Sequence, residues 1–286
     1  MIRDSHKCKW VQVVQTDPYP ISEDERKRQI EVELCAMADF VVGLGSKPVE
    51  TFCSFCRWYH KDQVVLDLTP GLFDEFLSFE LPDEKRGHCS ILVFGRGDED
   101  FTSWGINLVG RAVALLPDTQ LVFLGAPDGK IEEIAQRLLE CGISDRQLIV
   151  RGYPSSRDRL RDMFCAVDMV LMPSTTEGFG LTGLEALSAG LPVLISKNSG
   201  FGEALSKVPS GLSLVIDSED PKVWATAIKD IWSKDRQTRL EEAKLLRSSY
   251  NKIYSWAKQS KVLLEKMFNL VHGMDFVSSN RNGVCQ

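Results

Sequence analysis

Two glutamates with seven residues between them bracket a run of glycines in this chain, Glu177-Gly178-Phe179-Gly180-Leu181-Thr182-Gly183-Leu184-Glu185. An apolar run from Val170 to Met172 leads into the turn, and Leu184-Glu185-Ala186-Leu187 leads out of it with a helical pattern. Glycines let backbone N–H groups approach a phosphate, and the positive end of the following helix holds it. Acids beside a phosphate site are unfavourable unless they bind something else, such as sugar hydroxyls. The combination predicts a sugar-nucleotide site. A second candidate is Phe94-Gly95-Arg96-Gly97, a strand end with a glycine turn and a lone arginine, whose fixed fork of donors suits a diphosphate.

Other readings of the same residues stay open at this stage. Gly178, Gly180 and Gly183 also satisfy G-x-G-x-x-G, the dinucleotide fingerprint. Two details count against it. Pro173 to Glu177 intervene between the strand and the first glycine, and the next strand ends in Lys197-Asn198, where an acid for the ribose should stand. Spacing alone also allows Glu177 to be an ordinary loop acid, Glu185 a surface helix acid and Arg96 a surface arginine.

The stretch E-G-F-G-L-T-G-L-E-A-L-S-A-G-L-P-V-L-I-S, followed by Ser199-Gly200-Phe201-Gly202-Glu203, resembles the E-x7-E region of retaining GT-B glycosyltransferases. The type is glycosyltransferase family 4 (group 1), chiefly its C-terminal donor-binding domain. The similarity extends from about Val11 to Phe268. It implies an α/β protein of GT-B type with two Rossmann-like parallel-sheet domains, the first one incomplete. Under the resemblance Glu177 contacts the transferred sugar and Glu185 the ribose, with Arg96 and Glu177 the catalytic pair. Gly95, Arg96, Gly178, Phe179, Gly180, Leu181 and Thr182 surround the diphosphate, and Gly152 and Tyr153 contact the base. The family places arginine and then lysine around a variable loop. Gly95-Arg96 matches, whereas Trp104 stands before Gly105 in place of the lysine.

The activity so implied is metal-independent hexosyl transfer from a UDP-, GDP- or ADP-sugar to an unknown acceptor, with no cofactor and no metal. Trp104 opens an alternative, a catalytically weak or inactive nucleotide-sugar sensor within a larger multidomain protein. Fewer than about 90 residues precede the donor domain, and they resemble only the latter part of an acceptor domain. The chain therefore reads as a piece of a longer protein, with further domains as partners, or as a family member that has lost half of its acceptor site.

Alternating strand and helix signals supply the scaffold for these residues. Strands are predicted over 11–15, 40–44 and 64–68, with helices over 23–37 and 48–59 between them, which makes a parallel βαβαβ unit. After the charged run Asp83-Glu84-Lys85-Arg86-Gly87 the pattern restarts, with strands at 91–94, 121–124, 148–150, 170–172, 193–196 and 213–216. That predicts a doubly wound sheet. The expected division is a partial acceptor-side domain over 1–85 and a donor domain over 86–220. Helices over 221–272 follow, partly packing back on the first domain as the resemblance implies, and then a polar tail over 273–286.

Composition permits this reading. The 286 residues are 43% hydrophobic and carry a net charge of −6 with acids and bases interspersed, so nothing points to nucleic acid. No apolar run reaches a membrane span and the first residues make no signal peptide, so the cytosol is the expected compartment. Eight cysteines in a chain this long read as free thiols, and Cys53-Ser54-Phe55-Cys56 lacks a second pair at zinc spacing. His6, His60, His88 and His272 have no partner at catalytic or metal spacing, and the tryptophans read as packing residues.

Overall fold

The computed structural model describes residues 8–15, 25–58, 65–78, 80–83, 87–95, 105–154, 156–174 and 177–273. The first elements are β1 (Val11–Val14), α1 (Glu25–Met37), β2 (Phe40–Leu44), α2 (Ser46–Trp58), β3 (Val65–Leu68) and the short α3 (Asp74–Leu77). Then come β4 (Cys89–Phe94), α4 (Ile106–Ala114), β5 (Thr119–Ala126), α5 (Ile131–Leu139), β6 (Leu148–Gly152), α6 (Arg157–Ala166) and β7 (Met169–Met172). The chain ends with α7 (Leu181–Ser188), β8 (Val193–Ser196), α8 (Gly200–Ser206), β9 (Val215–Ile216), α9 (Pro221–Trp232), α10 (Arg236–Ile253) and α11 (Trp256–His272).

The chain divides into two compact units, one of Met1–Gly71 with Tyr254–Gln286 and one of Leu72–Ile253. The first holds a parallel sheet in the order β1-β2-β3. Alternation along β2 sends successive side chains to opposite faces. Val41 joins Cys35, Phe52 and Val65 on one face. Phe40 and Val42 join Leu66 and Leu68 on the other, where Leu263 and Leu270 of α11 pack against them.

The second unit is a six-stranded parallel sheet in the order β6-β5-β4-β7-β8-β9. The strands at its centre are buried on both faces, as the unbroken apolar runs Ile91–Phe94 and Met169–Met172 require. One face is filled by Ile91, Val93, Phe123, Leu171 and Leu194, with Val109, Val113, Trp224 and Ile228 from α4 and α9 packed against them. The order reverses between β4 and β7, and in such sheets ligands bind outside the carboxyl ends at that point.

The sequence placed the division at 85/86; the structure places it after Gly71, because Leu72–Pro82 is tied into the second unit. Phe76 of α3 is buried edge-on against Phe164, and the Arg236 Nε donates to the Pro82 carbonyl at 2.7 Å. Of the helices expected over 221–272 to pack partly back on the first domain, α9 and α10 belong to the second unit and α11 to the first. The last strand is shorter than the sequence predicted, a two-residue β9 after a 3₁₀ turn at Leu212–Leu214. Cys8, Cys35, Cys89, Cys141 and Cys165 form no disulfide, but Cys53 is disulfide-bonded, which corrects the expectation there. A count of cysteines per chain length cannot see an individual pairing.

Candidate functional site

The site is built where β7 ends. Pro173 and Ser174 leave the strand, and Glu177 returns beside Ser199 in a parallel bridge. Two backbone bonds then tie the turn to the start of α8, Gly200 N–H to the Gly178 carbonyl at 2.8 Å and Phe201 N–H to the Phe179 carbonyl at 2.6 Å. This approach needs bare glycine. A β-carbon on Gly200 would sit 2.7 Å from the Gly178 oxygen. Gly180 then turns with φ +93 and opens α7, a conformation that side chains rarely adopt.

The consequence is a helix start whose first N–H groups have no intrahelical acceptor and point toward the carboxyl ends of the sheet. Leu181 and Thr182 occupy that first turn, half-buried, while Gly183 to Ser188 are buried. Gly183 is where α7 meets Phe201, whose ring would lie 2.9 Å from an added β-carbon. The helix is fixed from two further sides. Ser188 Oγ accepts the Phe73 N–H at 3.0 Å, and the Ser188 carbonyl accepts from Arg247 at 2.9 Å.

Glu177 lies at the mouth of this helix. Its Oε2 accepts from the Ser174 hydroxyl at 3.0 Å, and a β-carbon on Gly180 would meet its Cγ at 3.5 Å. Glu185 projects from the next turn of α7 with its side chain only 10% exposed, which excludes the surface-acid reading. Arg157, the first residue of α6, donates to its Oε1 and also faces Glu75 with Nε at 3.3 Å from the carboxylate. Burial pushes the Glu185 carboxyl up from its ordinary range, and Arg157 pulls it back down. The bond to Glu185 in turn raises the Arg157 guanidinium, and Tyr153 and Glu75 act on it in the same direction.

The sequence reading missed Arg157 and Glu75, since nothing in their spacing links three distant segments. Only the helix start at Ser156, whose side chain caps α6 by accepting the Arg159 N–H, was signalled locally. Gly152 ends β6 beside Ala126, and Tyr153 stands 73% exposed just beyond it. Gly95 follows β4, in close contact with the bulge of β5, where a β-carbon on Gly125 would lie 2.0 Å from the Gly95 oxygen. Arg96 and Trp104 lie outside the described residues. Near Pro173 a polar-walled cavity of about 240 Å³ opens at the strand ends, lined by Ser196, Asn198, Asp217, Ser218 and Glu219. Among the described residues no group of three or more His, Cys, Asp or Glu side chains could hold a metal ion, and no helix is long and apolar enough to cross a membrane.

A family model described as family 4 glycosyltransferase in conflict systems matches residues 4–263. The D-inositol 3-phosphate glycosyltransferase of Mycolicibacterium gilvum (strain PYR-GCK) is 35% identical over 132 residues, covering 45% of this chain and 29% of that protein. The protein of the same name from Mycobacterium marinum is 29% identical over 182 residues, 62% of this chain and 38% of that protein. The chain thus spans about a third of the length of the curated relatives it matches. Among solved structures, Anabaena HepE in complex with UDP and glucose superposes with a TM-score of 0.73 at 16% identity, covering 93% of this chain and 73% of that one. The sucrose-phosphate synthase of Thermosynechococcus elongatus gives 0.71 at 20% identity, covering 96% and 70%. The fold shared is that of the GT-B glycosyltransferases.

Proposed function

Because this chain belongs to the family 4 glycosyltransferases of conflict systems, we propose that it transfers a hexose from a UDP-sugar to an acceptor with retention of configuration. The observation that carries this reading is the turn at Gly180, which sets an unobstructed helix start between two carboxylates, Glu177 and Glu185. UDP is the base carrier favoured here, because the HepE structure of like fold holds UDP and glucose.

The chemistry follows from charge. As the bond from the anomeric carbon to the diphosphate breaks, negative charge gathers on the leaving group while the acceptor oxygen attacks the same face. The N–H groups of Gly178 to Leu181 and the guanidinium of Arg96 receive that charge, in place of a metal ion. One such preorganised donor is typically worth about 10²–10³ in rate. Glu177 holds the sugar hydroxyls, Glu185 the ribose hydroxyls, and Gly152 and Tyr153 border the base. Calorimetric titration with UDP-, GDP- and ADP-sugars, with NAD and NADP as controls, tests the assignment. Binding of NAD or NADP alone would refute it. Sugar-nucleotide binding without release of sugar would favour the sensor role that Trp104 motivates.

Three variants test the individual roles. Arg96→Ala should weaken UDP binding by roughly 1.5–3 kcal/mol, the range for a charged hydrogen bond; unchanged affinity removes Arg96 from the site. Glu177→Ala should impair the sugar nucleotide more than free UDP, and Glu185→Ala should impair both. Equal losses for both ligands in Glu177→Ala would show that its sugar role is wrong.

Arg157→Gln tests the ionisation of Glu185. With Arg157 gone, burial acts on the Glu185 carboxyl without its cation, and the nearby Glu75 charge raises it further. The carboxyl then holds its proton to higher pH, so binding that needs the carboxylate fails earlier on acidification. The acid limb of UDP binding should move up by about 1 unit or more, the effect of a neighbouring charge. A limb that stays in place would mean that Arg157 serves only packing.

A further inference from the structure

We propose that the second unit carries another ligand site, at the amino ends of its strands, for a small carboxylate with an apolar body. A cavity of about 240 Å³ lies there, walled by Leu191, Pro192, Leu214, Ile231 and Leu246, with Arg239 and the mutually paired Lys234 and Glu242 also in its lining. Leu191 and Pro192 lead into β8, whose far end at Ser196 borders the donor-side cavity. Four residues of strand, roughly 13 Å, separate the two openings.

Among the described residues the charge in this cluster does not balance. Asp168, with a wholly buried side chain, faces two guanidiniums, Arg236 Nη1 at 2.6 Å and Arg239 Nη2 at 3.4 Å. Its other oxygen accepts the Ser90 N–H at 3.0 Å. Among the described residues the other nearby acids bond to other partners, although the Asp235 charge also acts on Arg239. Glu242 pairs with Lys234 at 2.6 Å, and Asp235 accepts from the backbone and hydroxyl of Thr238. The adjacent Cys89 supplies no charge either, because burial pushes its thiol up to about 12. Two arginine side chains, 4% and 5% exposed, therefore share one buried carboxylate.

Two donors of these arginines are also orphaned. Arg239 Nε and Arg236 Nη2 are fully buried without a hydrogen-bond partner. Such groups are rare in folded proteins and unfavourable when left unpaired. The Trp232 ring 4.2 Å from the Arg239 guanidinium covers one face of it but accepts no N–H bond in its plane. A carboxylate in the cavity would meet the unpaired cation with charge-assisted hydrogen bonds, and the leucine, isoleucine and proline walls would take an apolar body.

The test is calorimetry and thermal-shift titration of the full chain with sodium benzoate, its neutral isostere benzamide, and inorganic phosphate. Benzoate should bind and benzamide should not. Leu245→Trp should weaken benzoate at least about tenfold, since Leu245 lines the cavity, is 69% exposed, and can be enlarged without touching Asp168. Arg239→Met should abolish benzoate binding, and Glu177→Ala, at the other end of the sheet, should leave it unchanged. If Arg239→Met does not fold, Leu245→Trp with an unaltered melting midpoint decides alone. Binding of phosphate in place of benzoate, equal binding of benzamide, no binding by any probe, or a benzoate affinity indifferent to Leu245→Trp would each overturn the site.

Discussion

Asp168→Ala is expected to destabilise the second unit by about 3–5 kcal/mol, the usual effect of removing one partner from a buried charge cluster. The loss exceeds that of the contacts themselves, because Arg236 and Arg239 would remain buried without the carboxylate that both contact, and the Ser90 N–H would lose its acceptor. For a unit of this size each kcal/mol moves the melting midpoint by roughly 2–4 °C, so a fall of about 10 °C is expected. Asp168→Asn keeps an acceptor for Ser90 but removes the charge, and should fall between parent and alanine variant. Chemical denaturation monitored by tryptophan fluorescence measures both. A loss under about 1 kcal/mol for the alanine variant would show that the arginines are neutralised by something other than Asp168.

Gly105→Ala should damage the fold and the donor site together. Gly105 has φ +65 at the start of α4, and a β-carbon there would lie 2.2 Å from the carbonyl oxygen of Pro173. The left-handed conformation alone costs a side chain about 1–2 kcal/mol. The clash is with backbone, so the segment from Pro173 to Glu177 must shift. A misplacement of about 1 Å in a binding constellation can reduce activity about a hundredfold. The expected result is a loss of at least about 2 kcal/mol in stability, with UDP binding weakened about tenfold or more at a temperature where the variant is folded. A variant destabilised but binding UDP as the parent does would uncouple Gly105 from the donor site.

Much of the fold was legible because its signals are local. Unbroken apolar runs such as Ile91–Phe94 and Met169–Met172 are short enough to mark central strands, and their alternation with helices favours parallel pairing and a doubly wound order. Gly178, Gly180 and Gly183 marked the turn for the same reason. The chain-end assignments were less accessible. That Leu72–Pro82 joins the second unit depends on Phe76 meeting Phe164 and Arg236 meeting Pro82, contacts between residues 88 and 154 positions apart. The Arg157–Glu185–Glu75 arrangement was invisible for a related reason: three segments converge on one carboxylate, and no window of sequence contains them. The spacing of Glu177 and Glu185 gave their place on the turn, but only the structure revealed that Glu185 is buried against a cation.

The first unit is assembled from both ends of the chain, and this imposes an order on its biogenesis. During synthesis β1, β2 and β3 emerge before the second unit, yet the sheet face carrying Phe40, Val42, Leu66 and Leu68 is covered by Leu263 and Leu270, which emerge 192 and 199 residues after Gly71. At about 5–20 residues per second the face waits ten seconds or more for its cover. Closing a flexible loop of that length is entropically unfavourable, but once the intervening segment has folded the closure becomes short. The chain leaves the first unit at Gly71 and re-enters beside it, where a β-carbon on Gly71 would be 2.7 Å from the Trp256 nitrogen. The second unit is thus the segment that must fold between the two parts of the first. Ribosome-stalled chains ending before Trp256 should hold a protease-resistant second unit and a protease-sensitive first one.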